Sequence, residues 1–268
     1  MRELLENLDT SEGLPNPDPV RRAQIKSKLP LPKRFYKAAT AVPLDNQNGF
    51  TVHLDGRAVR TPARNLLTLP TLEAAEIIAA EFNSQEKEID PATMPATRLA
   101  NTAIDGIAAD PQVVFEDVLR FASSDMLFYR ADAPQELVMR QTAQWDPVID
   151  WASSKLGARF ILAEGVMHVE QPREALAAFG VHLSAFDDPL VLAALHTITS
   201  LTGSALLALA VAKEEVAADD AWSIAHLDED WTIEHWGEDV ESSARRALRK
   251  TEMLAAAAVL KACQNDRK

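Results

Sequence analysis

The sequence predicts an α+β protein, with a small strand-rich amino-terminal domain followed by a larger, mostly α-helical carboxyl-terminal one. Three observations carry this expectation. Apolar and polar residues alternate from Phe35 to Val42 and again from Phe50 to Leu54, the period a half-buried strand requires. From Thr71 onward the apolar residues instead recur at three- and four-residue steps, as one face of a helix does. Strand signals therefore come first and helix signals afterwards, an order that favours segregated layers over an alternating α/β sheet.

Taken in chain order, Gly13 to Pro32 holds five prolines and little apolar periodicity, so residues 1–32 read as a Pro-rich flexible arm. Its basic residues Arg21, Arg22, Lys26 and Lys28 run on to Lys33, Arg34 and Lys37 and read as solvated. Asp55-Gly56 separates two strand-like runs, Phe50–Leu54 and Arg57–Thr61, and both residues tolerate the positive φ angles of a two-residue hairpin turn. A third strand is expected at Asn65–Leu69, ended by Pro70, which lacks the amide a ladder needs.

Thr71 then suits the N-cap of a helix with Leu72, Ala75, Ala79 and Phe82 on one face. The connector Ile89 to Pro95 contains two prolines and sets the predicted boundary between a domain at 33–89 and a helical domain at 90–268. Leu99, Ala103 and Ile107 share a face of the next helix, and Asp110-Pro111 opens another holding Val114, Val118 and Phe121. Gln135 to Leu156 is helical with Gly157 as its stop, and Pro147 is expected to bend or break it. Arg159 to Val169 reads as a short hairpin. Asp188-Pro189 starts a helix through Leu201, Gly203 separates it from Ser204–Glu215, and one long helical region runs from Asp219 towards Lys261.

Composition narrows the function. With 268 residues the chain can bury a substantial core, and its single cysteine, Cys263, rules out an internal disulfide framework. A net charge of −13 excludes nucleic acid as partner and disfavours an anionic membrane surface, because both need clustered Lys and Arg. No apolar run is long enough to cross a bilayer, and the acid-rich stretch Met1–Asp18 matches neither a secretory signal nor a transit peptide, so a cytoplasmic protein is expected.

Catalytic signatures are sparse. Leu201-Thr202-Gly203-Ser204 lacks the second glycine and the lysine of a phosphate loop, and no glycine follows Ser204 as in a nucleophile elbow, so a helix cap suits Ser204 better. His53, His168, His182, His196, His226 and His235 contain no pair at metal-ligand spacing. Asp105 and Asp125 could form a carboxylate pair, with helix-surface or capping roles as the simpler alternative.

One region stands apart: Glu214 to Glu241 carries eleven acidic residues and no Lys or Arg, with Trp231 and Trp236 interleaved. On a helix, Trp231 would neighbour His235, and Asp230 would neighbour Glu234, setting aromatic and acidic stripes side by side. Three readings compete: a solvated acidic face with its tryptophans in the core, a protein-binding surface for a basic or amphipathic segment, or a metal site built from Asp228, Asp230, Glu234 and His235.

Several strings, in order and spacing, resemble the family of ATP synthase F(1) assembly chaperones that hold the alpha subunit. They are Arg34-Phe35-Tyr36-Lys37, Leu54-Asp55-Gly56-Arg57 with Thr61-Pro62, Leu69-Pro70-Thr71, Glu81-Phe82-Asn83-Ser84-Gln85, Ile89, Met94-Pro95, Thr97-Arg98-Leu99-Ala100 and Thr102-Ala103-Ile104-Asp105. Asp125 to Arg130, Gln141 to Pro147 and Trp236-Gly237-Glu238 extend the likeness, while Phe82 stands where the family is expected to have tryptophan.

The resemblance implies a non-enzymatic, monomeric chaperone without cofactor or metal. It implies binding of the unassembled alpha subunit and masking of its beta-binding interface until beta displaces the chaperone. On this reading Glu234, Trp236, Glu238, Asp239 and Glu241 form the contact surface, and Asp55, Gly56, Arg57, Thr61 and Pro62 form a structural turn. The rival expectation is a carboxylate- or metal-dependent hydrolase; a small-ligand sensor with an apolar cavity is a third.

Overall fold

The computed structural model describes residues 30–45, 48–165 and 167–264. All of the predicted arm except residues 30–32 lies outside the described residues.

The strand-rich region forms an antiparallel meander of β1 (Ala39–Pro43), β2 (Phe50–Leu54) and β3 (Arg57–Ala58). β1 pairs with β2 from Ala39 opposite Leu54 to Pro43 opposite Phe50, and β2 pairs with β3 from His53 opposite Ala58. The two turn residues sit at φ +48° for Asp55 and +84° for Gly56, as a tight hairpin with right-handed strand twist demands. Val52 and Leu54 point into the core, so alternation along β2 selects its buried face.

The third strand is not continuous. Leu66 bridges Arg60, whereas Leu69 bridges Phe50 on another strand, so the segment changes partner before a ladder can grow. The alternation nonetheless holds, because Leu67 and Leu69 are buried.

Helix α1 (Leu72–Ser84) begins where Thr71 Oγ1 accepts the Ala74 amide at 3.1 Å. It covers the meander with Ala75, Ile78, Ala79 and Phe82, but Leu72 is turned out and exposed, contrary to the periodic reading; Ala74 is buried in the same turn. Helix α2 (Pro95–Thr102) continues into a π-helical turn at Ala103–Ile107, and Leu99, Ala103 and Ile107 are buried together as the spacing predicts. Its N-terminus lacks a local side-chain cap. Instead Glu81 of α1 reaches across and accepts the amides of Ala96 and Thr97, both at 2.7 Å.

Helix α3 spans Pro111–Ala122, and α4 spans Gln135–Trp151 with a π-helical turn at Ala152–Leu156 stopped by Gly157 at φ +72°. α4 runs unbroken through Pro147, so of the expected bend or break the break does not occur. A proline removes one amide from the helical ladder; Trp145, Val148 and Trp151, buried on either side of it, anchor the helix against the core.

The expected hairpin at Arg159–Val169 does not form. β4 (Tyr129–Arg130) and β5 (Ala163–Glu164) make a parallel pair instead. The segment finds partners elsewhere: Phe160 stacks on Phe128 at 4.7 Å, and the Gln171 amide bonds both the N–H and C=O of Ile161 at 2.8 and 2.9 Å.

Helices α5 (Arg173–Leu183), α6 (Pro189–Thr202) and α7 (Ala205–Ala212) follow. Asp188 caps α6 through the amides of Leu190 and Val191, and Gly203 closes it at φ +70°. α7 is apolar on all sides and wholly buried up to Ala210, so it serves as a central core helix. The predicted final helical region divides into α8 (Ala218–Ala225), α9 (Leu227–Trp236) and α10 (Val240–Gln264). The breaks fall at His226 and at Gly237, whose φ of +89° leaves helical space. α10 packs along α6, α2, α1 and α8, and a continuous hydrophobic cluster runs from Tyr36 to Cys263.

Candidate functional site

The acidic stretch folds into α8, α9 and the first turn of α10. All five residues predicted for the contact surface come together around the α9–α10 turn, because Glu234 and Trp236 end α9 while Glu238, Asp239 and Glu241 flank the start of α10. Gly237 makes the sharp change of direction between them.

The tryptophans divide. Trp231 is buried, as the solvated-face reading expects of both tryptophans, and Trp236 is 77% exposed. Trp231 stacks on His235 at 4.0 Å between ring centroids, the four-residue neighbour the helical spacing predicts. Arg140 of α4 also lies over the Trp231 ring, its guanidinium carbon 5.4 Å from the centroid. Val240, just beyond Asp239, adds a further exposed apolar side chain beside Trp236 in sequence.

The carboxylates have different duties. Arg140 Nη1 donates to Glu234 Oε1 at 3.0 Å, lies 2.9 Å from Oε2, and holds that carboxyl below its ordinary range. Asp239 Oδ1 accepts the Ser242 amide at 2.8 Å, capping α10 and lowering its own pKa in the same way. Glu241 lies 3.9 Å from Arg245 one turn on, and Glu238 is exposed.

The four residues of the metal reading do not converge. Asp228 accepts from Gln141, Asp230 pairs with Arg246, Glu234 pairs with Arg140, and His235 Nδ1 bonds the Trp231 carbonyl. Among the described residues no group of three His, Cys, Asp or Glu side chains could share an ion.

The hydrolase pair is likewise split between two networks. Asp105 accepts from Thr61 Oγ1 at 2.6 Å, Ala63 N at 3.0 Å and Asn65 Nδ2 at 2.9 Å. Asp125 is fully buried and accepts from Leu127 N, Ser204 Oγ and Leu206 N, so Ser204 is a cap and a packing contact. Burial pushes the Asp125 carboxyl up to about 6.

The residues predicted as a structural motif lie far along the chain from this surface. The Asp55 carboxylate accepts the amides of Lys37 and Ala38 at 2.9 and 3.0 Å, tying the hairpin turn to the start of β1. Gly56 completes the turn, Arg57 is exposed on β3, Thr61 joins the Asp105 network and Pro62 follows it in an exposed turn. Around them Tyr36 Oη donates to Phe82 O, and Asn83 exchanges two bonds with the Ala39 backbone. The amino-terminal strings thus build the joint between meander and α1.

Arg140 and Gln141 were not among the predicted site residues. Gln141 is buried and bridges the Ala131 amide to Asp228 at the start of α9, at 2.9 and 2.8 Å. They stand 94 and 87 positions before their α9 partners, and nothing local in the sequence marks such pairs.

The model of the ATP12 chaperone protein family matches residues 33–153. The Atu1473 protein from Agrobacterium tumefaciens is similar over 98% of this chain and 97% of its own, at 57% identity and a TM-score of 0.84. Atp12 from Paracoccus denitrificans is similar over 87% of this chain and 98% of its own, at 35% identity and a TM-score of 0.80, and a point mutant of it matches equally well. An α+β scaffold with an exposed aromatic and acidic turn, matched along its length by such structures, is a chaperone by class. Within that class the chain belongs to the ATP12 chaperone family, the chaperones of ATP synthase assembly. The family model ends before α8, so the α9–α10 turn is related to known proteins through the whole-chain structural matches alone.

Proposed function

We propose that this protein binds the unassembled alpha subunit of ATP synthase through the α9–α10 turn, masks the interface alpha later shares with beta, and yields when beta arrives. The observation that carries the reading is Trp236, a large aromatic side chain left 77% exposed beside Glu238, Asp239 and Glu241 in a chain of this chaperone family. An exposed aromatic next to carboxylates suits a partner segment that combines apolar and basic groups.

A free subunit presents the apolar patch its neighbour will cover, and such patches associate indiscriminately. Occupying that patch suppresses aggregation, and release requires only that beta bind it more tightly. Neither catalysis nor a nucleotide is needed for this exchange. The protein acts as a monomer in the cytoplasm on this reading; among the described residues no helix is long and apolar enough to cross a membrane.

The test is a mixing experiment. Free alpha subunit from the same organism is combined with this protein, then with beta, while light scattering and the composition of each complex are followed. Capture of alpha, suppressed scattering and loss of this protein on adding beta are expected. Alpha that aggregates at the same rate in its presence would sink the proposal.

A further inference from the structure

The predicted surface treats its five residues as equivalent, yet the structure gives Glu234 a partner that none of the others has. Arg140 donates to one of its carboxylate oxygens, lies within ion-pair distance of the other and covers Trp231 with the same guanidinium, while the neighbouring Gln141 fastens Asp228, the second residue of the helix. Two consecutive residues of α4 therefore hold α9 at both ends. Arg246 of α10 pairs with Asp230, one turn before Glu234, and approaches Glu229 at 3.6 Å. Glu234 is thus engaged within the molecule, whereas Trp236 and the residues beyond Gly237 project past this clamp.

We propose that Arg140 is the positioning residue of the partner-binding turn, and that Glu234 serves the partner through Arg140 rather than by touching it. The inference rests on the surface proposed above. Helix α9 is ten residues long with Trp231 and Leu227 as its buried side chains, too few to fix its rotation by packing alone. A guanidinium engaging one carboxylate and one aromatic face restricts that rotation, and with it the direction in which Trp236 leaves the helix. Both side chains are partly exposed, 35% for Arg140 and 50% for Glu234, and exposed ion pairs add little to stability. The clamp therefore orients the surface without holding up the fold.

The distinction can be read by charge exchange. Arg140→Glu, Glu234→Arg and the double variant are compared for capture of free alpha subunit, with Arg140→Lys as the conservative change and Trp236→Ala and Glu238→Lys as reference lesions. Each single reversal should weaken capture by about tenfold or more, as loss of an ordered contact surface does. The double variant should recover most of that loss, because the pair is restored with its signs exchanged. Arg140→Lys keeps the charge but loses the planar fork, so its capture should fall between that of the parent and that of Arg140→Glu, and urea midpoints should stay close together across the set.

A double variant as weak as Glu234→Arg would overturn the proposal, since a glutamate that touches the partner cannot be rescued from α4. Undiminished capture by Arg140→Glu would overturn it as well. If Trp236→Ala and Glu238→Lys also capture normally, the turn is not the contact surface, and both readings fail together. Loss in those two references without rescue in the double variant condemns the clamp alone.

Discussion

The Thr71 hydroxyl donates to the Ala262 carbonyl at 3.0 Å while accepting the Ala74 amide at 3.1 Å, so one side chain caps the first helix and ties it to the last, 191 positions away. Thr71→Val keeps the shape and removes both bonds. It should cost about 1–3 kcal/mol, combining a lost cap with a buried carbonyl left unsatisfied. Thr71→Ser should stay near the parent. Urea unfolding of the three proteins checks this, and an unchanged midpoint for the valine variant would contradict it.

Asp125 predicts a pH dependence whose sign is opposite to that of most carboxylates. Its folded value of about 6 lies above the ordinary 3.8, so the folded state binds the proton more tightly than the unfolded one. Its stabilising contribution is fully present below the ordinary value and falls away as pH rises towards 6, by roughly 3 kcal/mol at 1.4 kcal/mol per unit. Asp125→Asn removes this dependence, while turning an amide N–H toward groups that themselves donate. The stability gap between parent and variant should therefore be wider at pH 4.5 than at pH 7, as measured by paired urea titrations; a gap that is constant or reversed is the contrary result.

Two glycines separate backbone strain from steric clash. Gly56 has φ +84° and nothing within 4 Å of where a Cβ would stand, so Gly56→Ala should cost about 1–2 kcal/mol from conformation alone. At Gly49 an added Cβ would also lie 2.7 Å from the Leu69 carbonyl oxygen, the group that accepts the Phe50 amide. Gly49→Ala should lower the melting temperature further than Gly56→Ala, and calorimetry of both decides the order.

At the α9–α10 turn, Trp236→Ala and Glu238→Lys should reduce capture of free alpha subunit by about tenfold while leaving thermal stability unchanged, since both side chains are exposed. Asp239→Lys is a different case, because Asp239 also caps α10 through Ser242. It should lose about 1 kcal/mol of stability as well as affinity. Asp239→Asn keeps a capping oxygen and isolates the charge. Equal stability in the Lys and Asn variants would show that the cap contributes nothing.

Most turns and caps that act locally were read correctly, whereas Pro147 and Leu72 were not. Asp55-Gly56, Thr71, Asp188-Pro189, Gly157 and Gly203 all act through their own φ angles or through amides a few residues away, and each turns or caps where the sequence places it. The buried faces of β2 and α2 follow for the same reason, because side-chain direction repeats with the backbone. The misplaced elements are those whose partners lie elsewhere. Phe160 and Ile161 settle on Phe128 and Gln171 instead of forming a hairpin, and Leu66 and Leu69 pair with different strands.

The proposed surface divides along the same line. The sequence by itself determined that Trp236 and its carboxylates lie close together, since they stand within a few positions of one another in the chain, although it placed them on one continuous helix and not at a turn. Only the tertiary structure decided that Trp231 is buried while Trp236 stands free, and that Glu234 answers to Arg140. Those outcomes depend on how α4 and α10 lie against α9, and such placement is fixed by packing among residues about ninety positions apart, a distance over which no local periodicity persists.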